Sequence, residues 1–197
     1  MMSVLSRLRA PVFEAGGMPE IDISQYRLHV RGLVGEERSF TWEEIMALPQ
    51  SKVNARLTSV SGWSVRATWE GVLWRDFIHT FTPKKEASHA RFSSVGGGYE
   101  TAVSLADLDQ PRVLLVYAVE GEPLEREYGG PLRMVIPSLY GYKSAKWLEA
   151  IILTDTVKGG YWENRGYTES GIIEPGFTLD VNTGTRRPIS GGEVTEF

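Results

Sequence analysis

Gly129-Gly130-Pro131-Leu132-Arg133-Met134-Val135-Ile136-Pro137, followed at once by Tyr140-Gly141-Tyr142-Lys143-Ser144-Ala145-Lys146-Trp147-Leu148, sets three cations among glycines in one short block. Arg133 offers a planar fork of donors, and Lys143 and Lys146 offer mobile point charges. Glycine lets backbone N–H groups come close to a phosphate, so the block reads as an anion pocket. Taken singly, each cation reads as a solvated charge on a strand or turn. Taken in order, they read as a site for a small phosphorylated ligand.

The flanking sequence supplies a scaffold. Tyr26, Leu28 and Val30 alternate with Arg27, His29 and Arg31, the period of a strand with one buried face. Thr41-Trp42-Glu43-Glu44 has the spacing of a capping box, which predicts a short helix to Leu48, stopped before Pro49. A strand from about Val53 to Val60 carries Ser59 at its end. Trp69 to about Phe81 reads as a second short amphipathic helix, ended by Pro83. Ala90 to Val95 and Tyr99 to Val103 flank Gly96-Gly97-Gly98 as a hairpin. Val113 to Val119 is a continuous apolar run suited to a strand covered on both faces, and Leu132 to Ile136 and Trp147 to Leu153 are further strands. The large aromatics Trp63, Trp69, Trp147 and Trp162 read as core packing, and Glu163 and Arg165 as pairing with each other in an exposed ion pair or with the pocket.

Composition bounds the function. The 197 residues are 42% hydrophobic, enough to bury about 70% of the unfolded surface in one domain. A net charge of −4 with no dominant basic run argues against nucleic-acid binding. No apolar run approaches the ~20 residues of a membrane span, and residues 1–17 lack the apolar stretch of an export signal, so the expected location is the cytoplasm. There is no cysteine, which removes disulfides, thiolate catalysis and thiolate zinc sites. The three histidines, His29, His79 and His89, show no metal-ligand spacing.

Four blocks in order carry a resemblance. They are Ser59-Val60-Ser61-Gly62-Trp63-Ser64 with Trp69-Glu70-Gly71-Val72; Val113-Leu114-Leu115-Val116-Tyr117-Ala118 with Gly121-Glu122-Pro123-Leu124; the cationic block above; and Gly160-Tyr161-Trp162-Glu163-Asn164-Arg165-Gly166-Tyr167. Together they resemble the molybdopterin-binding domain of the sulfite oxidase family, closest to its small bacterial branch, which includes reducers of methionine sulfoxide in proteins. The resemblance covers roughly Tyr26 to Tyr167. It implies an α+β fold of mixed sheets and short helices. Residues 1–197 then form a single domain, with 171–197 as an extended C-terminal tail.

The same resemblance implies a molybdenum–molybdopterin cofactor and oxidoreductase chemistry by oxygen-atom or electron transfer. It places Tyr128 near the pterin, matches Arg133 to the family's arginine, and gives Ser144, Ala145 and Lys146 to the phosphate, with Lys143 as an added cation. Ser59 stands where the family has a metal-binding cysteine, so it is the implied metal-facing and catalytic residue. A serine hydroxyl is a harder donor than a thiolate and changes affinity and potential together. The run Gly62-Trp63-Ser64 replaces the arginines that bind sulfite in animal and plant members. The expected partners are a small-molecule substrate and a redox protein. The competing expectation is a divergent, inactive member that binds a pterin or another phosphorylated ligand, or serves as a structural protein.

Overall fold

The computed structural model describes residues 4–13 and 17–197; residues 1–3 and 14–16, and with them part of the leader reading of 1–17, lie outside the described residues. The elements run α1 (Val4–Arg7), β1 (Arg27–Gly32), β2 (Arg38–Thr41), α2 (Trp42–Met46), β3 (Ser51–Thr58), β4 (Trp63–Leu73), α3 (Trp74–Phe77), β5 (His89–Ser94), β6 (Glu100–Ser104), α4 (Leu105–Leu108), β7 (Leu114–Val119), β8 (Glu122–Pro123), β9 (Arg133–Val135), β10 (Leu148–Thr154), β11 (Gly176–Asp180) and β12 (Thr185–Ile189). The mixed sheets and short helices are the expected architecture.

One sheet has the order β2-β1-β10-β5-β6, with β1 and β10 parallel and its other pairings antiparallel. The other is built on β4. Eleven residues long, β4 pairs along one edge with β3, from Ser51↔Gly71 to Thr58↔Ser64. On its other edge β11 takes Trp63 and Ser64 in parallel and β7 takes Trp69 to Leu73 antiparallel. The expected helix from Trp69 to Phe81 is therefore absent over its first part, Trp69 to Leu73. Its apolar spacing fits a helix, but the backbone up to Leu73 is claimed by two neighbouring strands, and only Trp74–Phe77 and a 3₁₀ turn at Ile78–Thr80 are helical.

The apolar run in β7 explains how the sheets share a core. Leu115 packs with Leu28, Phe40, Phe77, Phe92 and Ile151, while Leu114 and Val116 pack with Leu57, Trp69 and Val135 on the opposite face. A strand covered on both sides has no polar face to show. The capping box forms as read: Thr41 accepts from the Glu44 amide at 3.2 Å, and the Glu44 carboxylate accepts from the Thr41 amide at 2.7 Å. The tail after Gly171 is more ordered than expected, since β11 and β12 make an antiparallel hairpin added to β4. Among the described residues no helix is long and apolar enough to cross a membrane.

Candidate functional site

A cavity of about 310 Å³ opens where the loop after β3, the block after β9 and the loop at 158–171 meet. Leu57, Ser59, Ser61, Trp63 and Val65 line one side; Arg133, Ser144, Lys146 and Trp147 line another; Trp162 and Tyr167 wall the mouth with Tyr142. Residues Ala10 to Phe13 lie across part of it. Tyr128 donates to the Ala10 carbonyl at 3.0 Å, and the Phe13 ring sits 5.2 Å from that of Trp162.

Gly141–Lys143 is a 3₁₀ turn that leads into irregular chain, from which Tyr142, Ser144, Lys146 and Trp147 line the cavity and Lys143 and Ala145 do not. Ala145 is in the main core, where its carbonyl accepts from the Met134 amide. Lys143 is fully buried and ion-paired with Glu163 at 2.6 Å. The structure thus brings together Ser59, Tyr128, Arg133, Ser144 and Lys146 from the expected set, and takes Lys143 and Ala145 out of the lining. Glu163 is correspondingly not half of an exposed pair with Arg165, which instead donates to the Tyr161 carbonyl and lies over that ring.

Arg133 is the dominant electrostatic feature. It is 3% exposed, and its guanidinium donates to the carbonyls of Met134 (3.1 Å), Tyr128 (2.8 Å) and Ser144 (3.2 Å). That engages three of a guanidinium's five N–H groups. No carboxylate pairs with it among the described residues. Burial pushes its pKa down to about 10, which still leaves it cationic at neutral pH. A buried charge without a counter-ion costs on the order of several kcal/mol, and an arriving anion offsets that cost. Lys146 donates to the carbonyls of Phe13 (2.7 Å) and Glu127 (2.8 Å).

The paired glycines do not act as read from sequence. The amides of Gly129 and Gly130 donate to Arg126 and Glu125 carbonyls rather than into the cavity. Their lack of a side chain serves packing: a Cβ on Gly129 meets the Lys146 stem at 2.9 Å, and one on Gly130 meets the Leu124 carbonyl at 2.0 Å. Trp147 adopts φ 49, a strained backbone for so large a residue. Hydrogen bonds to both sides hold it: its amide donates to Gly129, its carbonyl accepts from Val95, and its indole donates to Arg126.

Ser59 lies just past β3. Its Oγ accepts from the Ser61 amide at 3.1 Å and is 3.1 Å from the Ser61 hydroxyl. The described residues contain no group of three or more His, Cys, Asp or Glu able to hold a metal. A metal here would therefore come with sulfur donors of its own and meet Ser59 as an oxygen donor, which is how a molybdenum dithiolene would fit. A buried guanidinium such as that of Arg133 would suit the phosphate of the same cofactor. The aromatic wall of Trp162, Tyr167 and Tyr142, and Trp63 and Trp147 beside it, escaped the sequence reading, because a large aromatic lining a cavity has the same signature as one filling a core. Ser94 also lines the cavity and donates to the Lys146 carbonyl at 2.6 Å.

Residues 15–162 match the model of the oxidoreductase molybdopterin binding domain. The chain is 36% identical over 159 residues to the uncharacterized oxidoreductase YuiH of Bacillus subtilis, covering 80% of each. It is 30% identical to the sulfite oxidase of Arabidopsis thaliana over 88% of this chain and 53% of that one. It is 25% identical to the protein-methionine-sulfoxide reductase catalytic subunit MsrP of Ralstonia nicotianae, over 83% of this chain and 52% of that one. The chain thus spans about half the length of the last two. The sulfane dehydrogenase SoxCD of Paracoccus pantotrophus shares the fold, with a TM-score of 0.69 at 19% identity over 89% of this chain and 47% of that one. The family match, covering most of the chain, makes molybdenum–molybdopterin the implied cofactor of the cavity, and the chain belongs to the oxidoreductase molybdopterin-binding domain family.

Proposed function

We propose that the chain is a molybdenum-cofactor oxidoreductase that passes an oxygen atom, or the equivalent electrons, between the metal and a small neutral substrate. The observation that carries this reading is Arg133, a buried cation lining the cavity with no carboxylate beside it among the described residues. Arg133 and Lys146 would hold the phosphate end of the cofactor with Ser144, Tyr128 would lie along the pterin, and Ser59 would face the metal. When bound, the cofactor supplies two-electron redox chemistry that no side chain here can perform. Ser61 fixes the Ser59 hydroxyl through its amide, and the aromatic wall excludes water.

The lining also bears on substrate. In this reading both of its cations are taken up by the cofactor phosphate, and Trp63, Trp162 and Tyr167 add aromatic lining. Such a wall favours a neutral molecule such as a sulfoxide over sulfite. Reducing a sulfoxide to a sulfide and water takes two electrons and two protons, so a redox protein is part of the proposal. Freedom from cysteine suits the cytoplasm as the place of action.

Serine at the metal-facing position favours one competing reading, a member that holds a pterin without turnover. Elemental analysis for molybdenum and fluorescence of released pterin, on protein from a host that makes the cofactor, separate the two. Near-equimolar metal and pterin, with a reducible metal signal that changes in Ser59→Cys, is the expected result. Pterin without a reducible metal would support the competing reading, and neither would overturn both.

A further inference from the structure

We infer that Lys143 and Glu163 form a buried lock that holds the aromatic wall of the cavity shut over its ligand, making both positioning residues. The inference rests on the cofactor reading above only for what the wall retains. The wall residues Trp162 and Tyr167 sit on a loop that runs from Lys158 to Gly171 and contributes no strand to either sheet. Its backbone is tied by Tyr161 donating to the Glu100 carbonyl, Lys158 accepting from Arg91 at 3.5 Å, Thr168 accepting from the Tyr142 hydroxyl at 2.8 Å and Gly171 accepting from Tyr140, ties that leave the backbone of Trp162 to Tyr167 without a bond to either sheet. The rings themselves stack on each other, Trp162 on Tyr167 at 4.8 Å and Tyr142 edge-on to Tyr167 at 5.1 Å. Such a loop needs an anchor.

Glu163 supplies it. Its side chain is 1% exposed, and one oxygen accepts from the Lys143 ammonium at 2.6 Å and from the Thr101 hydroxyl at 2.5 Å. The other oxygen is buried with no hydrogen-bond partner, so the carboxylate depends on Lys143 for its compensation. The ammonium, 0% exposed, donates in addition to the Ala102 carbonyl at 2.9 Å. Three segments therefore converge on one ion pair: the loop through Glu163, β6 through Thr101 and Ala102, and the cavity-lining block through Lys143. Lys143 stands between Tyr142 and Ser144, both of which face the cavity.

The loop is shaped around the pair at both ends. A Cβ on Gly160 would lie 2.6 Å from the free Glu163 oxygen and 2.3 Å from the Glu100 carbonyl. One on Gly171, at φ +66, would lie 2.5 Å from the Lys143 stem. Only glycine permits that approach. The loop closes directly over the ion pair, and opening the wall requires exposing it.

The test uses cofactor-loaded protein and the double variant Lys143→Met/Glu163→Leu, since replacing a whole buried ion pair by apolar groups leaves stability nearly unchanged. Hydrogen exchange of amides 158–171, the rate of pterin loss on dilution and the thermal midpoint are measured together. The expected result is a midpoint close to wild type, with exchange in 158–171 and pterin loss each at least about tenfold faster. Lys143→Arg, which keeps the charge, should exchange more slowly in that loop than Lys143→Met. Should the double variant not fold, Glu163→Asp withdraws the carboxylate by one methylene and is expected to speed the same amides by a smaller factor. Wild-type exchange in the altered protein overturns the lock. Wild-type protein without pterin would sink the cofactor reading instead, and the exchange alone would then decide the lock.

Discussion

Arg133 and Lys143 lie ten residues apart in one block, both buried, but Lys143 lies outside the cavity lining with a carboxylate against it, whereas Arg133 lines the cavity and has none among the described residues. The paired cation is a strut. Its charge is cancelled inside the protein and holds two segments together. The unpaired one keeps its charge for something from outside, at a standing cost to the fold. Burial alone thus does not separate a structural cation from a receptor for an anion; the nearest counter-charge does.

Removing each charge in turn should break this contrast if it is wrong. The largest effect on binding is expected for Arg133→Met, with co-purified pterin falling at least about 100-fold, because hydrogen bonds to charged groups are worth about 1.5–3 kcal/mol each. Its thermal midpoint should move little, since relief of an unpaired buried charge opposes the loss of three carbonyl partners. Unchanged pterin content would remove Arg133 from the site. The largest effect on stability is expected for Glu163→Gln, about 3–5 kcal/mol, or roughly 10 °C in a melting experiment. It leaves Lys143 buried beside a neutral amide.

A third buried cation sharpens the comparison. Arg56 meets Asp180 at 2.9 Å, with side chains 2% and 3% exposed, and lies away from the cavity. Asp180→Asn should cost about 2–3 kcal/mol by denaturant titration and leave pterin content untouched, since Arg56 keeps the Phe197 carbonyl as a partner. Burial pushes the Asp180 carboxyl up, but hydrogen bonds from Arg56 and Thr183 outweigh it and hold the group below its ordinary value of 3.8. A carboxylate lowered in this way stabilises fully above that value and loses its contribution as the pH falls through the lowered one. Wild type should therefore lose stability on acidification below about pH 4 more steeply than Asp180→Asn. The smallest effect, about 1 kcal/mol, is expected for Thr41→Ala at the capping box, a control outside all three charge sites.

What could be read from sequence divides along the same line. Arg133, Ser144 and Lys146 were legible from the local cationic block and the resemblance it carries, though the same reading put Lys143 and Ala145 beside them. The Lys143–Glu163 pair was not, because its partners are twenty residues apart and meet only through folding, whereas Arg165 lies close to Glu163 in sequence and invites the wrong pairing. The first half of the expected helix at 69–81 failed for a related reason: its apolar spacing is local, but the hydrogen bonds that make it strand come from β3 and β7. Trp162 and Tyr167 were legible as apolar bulk, yet nothing in a ring's sequence position says whether it fills a core or borders a void.

The parallel pairing of β1 with β10 also has a temporal consequence. His29 aligns with Ala150, so the first strand of its sheet waits for a neighbour made some 120 residues later, about 6–24 s at ordinary rates of synthesis. During that interval Leu28 and Val30, both fully buried in the finished sheet, have only the β2 hairpin beside them. Until β10 is made, the β1 edge that it covers stays open. The cavity is complete only once the chain has been made as far as Tyr167.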